Sequence, residues 1–113
     1  MNSRSPIALA FLLVLATPAA AVERWTFCVG WAPAAKDVWI SEVFPAGLDR
    51  ERLEVAYKNF LERQGAARVI AQCPLPSDDK TSVVNAQTSA EDFNRKLGAT
   101  LHAVSTQEFP PRR

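Results

Sequence analysis

Whether Cys28 and Cys73, the chain's two cysteines, are joined decides how its strands can be ordered. The N-terminal residues supply the reason to join them. Residues 1–21 carry one charge, Arg4, then an apolar run at 7–16, a helix-breaking Pro18 and the small residues Ala19, Ala20 and Ala21. This is the order of a secretory n-region, h-region and A-x-A site, and it predicts cleavage between Ala21 and Val22. The apolar run falls well short of the roughly 20 residues that a membrane span needs. Export to the periplasm or the extracellular space is therefore expected, with no membrane span after cleavage. In an oxidising compartment a pair of thiols is expected to form one disulfide, Cys28–Cys73. No C-x-x-C spacing offers thiol redox chemistry instead.

Once 1–21 is set aside as a signal peptide, the remainder suits a single small domain over 22–106, followed by a loose C-terminal tail at 107–113. A core of that size buries a limited share of its surface, so a covalent staple carries weight in its stability. The full chain has 13 basic and 12 acidic side chains. Because Arg4 belongs to the signal, the rest is formally neutral. Nucleic acid is excluded as a partner on this ground, since phosphate binding needs a concentrated excess of Lys and Arg.

Residues 24–31 alternate, with Trp25, Phe27, Val29 and Trp31 on one side and Thr26, Cys28 and Gly30 on the other, which is strand periodicity. A loop at 32–36 and a second strand at 37–44 complete a hairpin. Asp49 is the predicted N-cap of a helix running to about Gln64 and stopped by Gly65. Leu53, Ala56, Tyr57, Phe60 and Leu61 share its buried face. A third strand at 67–73 ends at Pro74 and Pro76. Ser77 then caps a second helix, with Asp78 and Asp79 in its first turn and Val83, Ala86, Ala90, Phe93 and Leu97 as its apolar stripe. Its β-branched and polar stretch at 81–89 is a poor helix former, so the helix could be broken near Asn85 or Thr88. Gly98 stops it, and 99–105 form a fourth strand.

The expected fold class is α/β (α+β-like), a two-layer sandwich in the order β-β-α-β-α-β, with a four-stranded mixed sheet, two helices and one disulfide. Helical crossovers make the second, third and fourth strands parallel, with the first antiparallel to the second. A bridge from 28 to 73 brings the first and third strands within roughly 6 Å between Cα atoms. The first strand must then lie between the second and the third.

Function rests on the aromatic residues. Trp25, Trp31 and Trp39, with Phe27, all fall on the hairpin, where they either build the core or form a surface. The disulfide face carries small residues, Thr26, Cys28, Gly30, Ala67, Val69 and Ala71, that would let helices pack closely there. The opposite face would then gather Trp25, Phe27, Trp31, Arg68, Ile70 and Gln72 as an aromatic platform. Trp25, Phe27, Trp31, Arg68 and Gln72 are the expected contacts for a glycan or an envelope protein.

Catalytic signals are sparse, and no catalytic, metal or cofactor residue is assigned. His102, the single histidine, could serve a small secreted hydrolase together with a carboxylate or a serine such as Ser41 or Ser105. No G-x-S-x-G nucleophile elbow accompanies it. One histidine with two bridged cysteines cannot complete a zinc site, and the isolated glycines form no phosphate loop. Asp78 and Asp79 are adjacent, so they suit capping and cannot flank a scissile glycosidic bond. The sequence predicts a small exported binding or accessory protein.

Overall fold

The computed structural model describes residues 22–47 and 49–110. The signal segment, its cleavage site and residues 111–113 of the tail lie outside the described residues. Eight elements follow one another: β1 (Trp25–Thr26), β2 (Val29–Ala32), β3 (Asp37–Ser41), β4 (Phe44–Pro45), α1 (Arg50–Arg63), β5 (Ile70–Gln72), α2 (Lys80–Lys96) and β6 (Thr100–Val104). The fold is α+β, with two helices, a four-stranded mixed sheet and the Cys28–Cys73 disulfide.

The sheet runs β5-β2-β3-β6. Strand β2 is antiparallel to both β3 and β5, and β3 is parallel to β6. The disulfide thus does what its spacing requires, holding β2 between β3 and β5. The two hairpin arms, expected to be continuous, are each interrupted, and their outer ends pair separately as β1 and β4. The interruption lies where the Cys28 amide donates to the Ser41 hydroxyl at 2.8 Å, a side chain taking the place of a ladder carbonyl.

The helices lie on opposite faces of the sheet, whereas the aromatic-platform reading holds only if both cover the disulfide face. The physical reason is directional. The connection through α1 travels across the sheet toward the β5 edge, whereas the one through α2 returns to the β6 edge. Crossovers of one hand that travel in opposite directions must lie on opposite faces. Leu53, Tyr57, Phe60 and Leu61 of α1 pack on Cys28, Val69 and Cys73. Phe27, Val38 and Ile40 pack with Val83 of α2 on the other face. Gly30 makes the first contact close, because a Cβ there would press on the Leu61 methyl and lie 3.2 Å from Val69 Cγ1.

Helix α1 begins and ends as expected, with the Asp49 carboxylate accepting from the Arg52 amide at 2.9 Å and Gly65 at φ 102° beyond the C-cap. Helix α2 is capped two residues later than predicted, by Asp79, which accepts from the Ser82 amide at 3.2 Å. Ser77 instead accepts from the Asp79 amide at 3.0 Å and shapes the turn before the helix. No break occurs near Asn85 or Thr88: α2 is continuous from Lys80 to Lys96, and the Thr88 hydroxyl donates to the Val84 carbonyl at 3.1 Å within it. The tail is likewise not loose from 107. Phe109 is 8% exposed and packs against Phe44, Tyr57 and Phe60, adding an aromatic plug to the α1 core.

Candidate functional site

Helix α2 packs against one half of its face of the sheet and leaves the other half open. Val83 is buried and Ala90 half-buried, and the Gln87 amide donates to the Ser41 carbonyl at 2.6 Å, which holds this side of the helix over β3. Phe93 and Leu97, one turn apart further along the same stripe, remain 63% and 64% exposed. They face the uncovered part of the sheet across a groove of about 720 Å³ whose floor includes Val29 and Trp31. Its polar lining is Lys36, Asp37, Arg50, Gln72 and Asn94. The Asn94 amide is already committed, donating to the Ala90 carbonyl at 2.8 Å.

The expected platform residues are divided by this arrangement. Trp31 and Gln72 line the groove, and so does the edge of Phe27, although Phe27 is 3% exposed and belongs to the core. Trp25 lies elsewhere, half-buried beneath the Lys80 ammonium, which is 4.2 Å from its ring centroid. Its backbone pairs with Ser77 through bonds of 2.7 and 2.9 Å. Arg68 is exposed in the turn before β5 at φ 54° and does not line the groove. Trp25 and Arg68 therefore do not line the groove with Trp31. The platform face is occupied at one end by α2, which the aromatic-platform reading did not allow for.

The groove residues that the sequence did not mark as a site include Phe93, Leu97, Lys36 and Arg50. Phe93 and Leu97 carried a signal, the i to i+4 continuation of the α2 stripe, but periodicity assigns them to a buried face. Only the offset between helix and sheet exposes them.

His102 lies on the α1 face. Its Nε2 is 2.9 Å from the Asp37 carboxylate, and its ring stacks on Trp39 with centroids 5.1 Å apart. Neither candidate serine joins this pair. Ser41 is buried and donates to the Glu42 carbonyl at 3.0 Å, and Ser105 accepts from the Glu108 amide at 3.2 Å. Among the described residues no group of three His, Cys, Asp or Glu side chains is placed to hold a metal ion. Asp79 acts as a cap, and its bonds from Ser82 hold its carboxyl below the usual aspartate range.

Two side-chain bonds tie β5, beside the groove, to α1. Glu54 of α1 accepts from the Cys73 amide at 2.9 Å, and Glu62 accepts from the Val69 amide at 3.4 Å, so both ends of β5 are fastened to α1. Lys58, which donates to Glu62, is the main cause of the lowered Glu62 pKa. Comparison with protein-family models, with curated proteins and with solved structures finds no match to this chain.

Proposed function

We propose that the protein is an exported, non-catalytic binding protein that holds its ligand in the groove between α2 and the sheet. The observation that carries this is the pairing of bare Phe93 and Leu97 with Trp31 across one concavity. Apolar side chains left in water cost free energy that a ligand recovers by covering them, and the volume lies within the range of small-molecule sites. The disulfide is compatible with an oxidising compartment outside the cytoplasm. The hydrolase alternative has the His102–Asp37 pair in its favour, but that pair bonds to no nucleophile among the described residues, and His102 lies outside the groove.

The neutral, environment-sensitive dye Nile red tests the groove. It is expected to bind the purified protein saturably, with a blue-shifted emission. A Phe93→Ser/Leu97→Ser variant with an unchanged circular dichroism spectrum should lose most of that signal. Undiminished dye binding in the double variant, or none in the parent protein, would overturn the proposal.

A further inference from the structure

The two ends of the groove differ in their charge. At the Phe27 end stands Arg50, whose guanidinium lies 3.6 Å from the Glu54 carboxylate, so its charge is offset. At the hairpin end stands Lys36, which makes no salt bridge among the described residues. Its neighbour Asp37 also lines the groove, but its carboxylate turns to His102, 2.9 Å away and outside the groove. Lys36 also sits at φ 56°, the left-handed region where glycine is favoured. A lysine stands there at a conformational cost, and the ammonium is what a glycine could not supply.

Between these ends the surface is apolar along Val29, Trp31, Phe93 and Leu97. An extended peptide added along the β5 edge would find the Val69 and Cys73 amides already consumed by Glu62 and Glu54. A glycan would need polar contacts along its length, and the walls offer few. A flexible apolar chain with a single anionic end satisfies both the walls and the free cation.

We propose that the groove takes an anionic amphiphile, with its carboxylate at Lys36 and its alkyl chain running past Trp31 and Phe93 toward Phe27. This rests on the groove being the ligand site, and it adds the chemical class and the orientation.

Calorimetric titration of the purified protein with dodecanoate and dodecyltrimethylammonium below their micelle concentrations, and with dodecanol below its solubility limit, tests it. Dodecanoate is expected to bind about tenfold more tightly than dodecanol, with the cationic amphiphile weakest. Lys36→Gln and Lys36→Gly should both erase the preference for the carboxylate. The glycine variant should melt no lower than the parent, because it relieves the left-handed backbone. Equal affinity for dodecanoate and dodecanol, or a preference that survives both substitutions, overturns the headgroup assignment and leaves the groove in place. If no alkyl ligand binds while Nile red does, the amphiphile proposal fails and the groove survives. If neither binds, both fail together.

Discussion

Tyr57 shows how much one residue carries in a core this small. Its side chain is fully buried beneath the sheet, and its hydroxyl donates to the Trp39 carbonyl at 3.1 Å. Burial, with the Glu108 charge as a smaller cause, pushes its phenol well above the ordinary value of 10.0. The folded state thus holds this proton more tightly than the unfolded chain does. Its contribution is complete below the unfolded pKa and is lost as pH rises above about 10. Urea unfolding over a pH series should show stability falling in that range for the parent protein and falling less for Tyr57→Phe. At neutral pH the same variant should lose about 1 kcal/mol with the hydrogen bond. Parallel pH profiles for the two proteins would sink the assignment. The chain has one tyrosine, so tyrosinate absorbance reports this group alone. The burial of Tyr57 was legible from its place on the α1 stripe. Its hydroxyl partner was not, because a backbone carbonyl of a distant strand leaves no mark in the local pattern.

At the scale of elements, α1 and α2 were both visible as amphipathic stripes between a cap and a glycine stop, and both exist. The stripe of α1 is buried along most of its length, whereas in α2 Val83 alone is buried and Ala90 half-buried. A stripe records which side of a helix is apolar and says nothing about how far the opposing surface extends. Two phenylalanines make the difference measurable. Phe27→Ala should cost about 3–5 kcal/mol, as truncation of a packed core aromatic does, whereas Phe93→Ser should lie within about 0.5 kcal/mol of the parent. Equilibrium denaturation of both variants checks this, and a large loss at Phe93 would return it to the core. The hairpin was legible in the same partial way. Its alternation and its Pro33 turn were evident, but the bend that splits off β1 and β4 depends on the Ser41 hydroxyl meeting the Cys28 amide.

For the whole molecule, the disulfide is the widest constraint. It joins residues 45 apart in sequence, and both cysteines are buried. On the chain-entropy account, closing such a loop stabilises the fold by about 4 kcal/mol. A Cys28→Ala/Cys73→Ala variant should therefore show a sharply lower urea midpoint or fail to fold, and a midpoint close to the parent's would refute that account. Two cysteines in a chain with an export-type N-terminus predicted the bridge, and the bridge in turn predicted that β2 lies between β3 and β5. By itself, then, the sequence determined the order of the two helices and the four sheet strands, the helix limits near Asp49, Gly65 and Gly98, the cysteine pairing and the central place of β2. Each of these follows from residue type at short range or from one covalent link. The tertiary structure alone decided that α1 and α2 take opposite faces, that Phe109 anchors the tail, and that Phe93, Leu97 and Trp31 share a groove with Lys36 at its mouth. Those outcomes depend on the direction of crossovers and on the offset of a helix over a sheet, which arise only when elements distant in the chain meet.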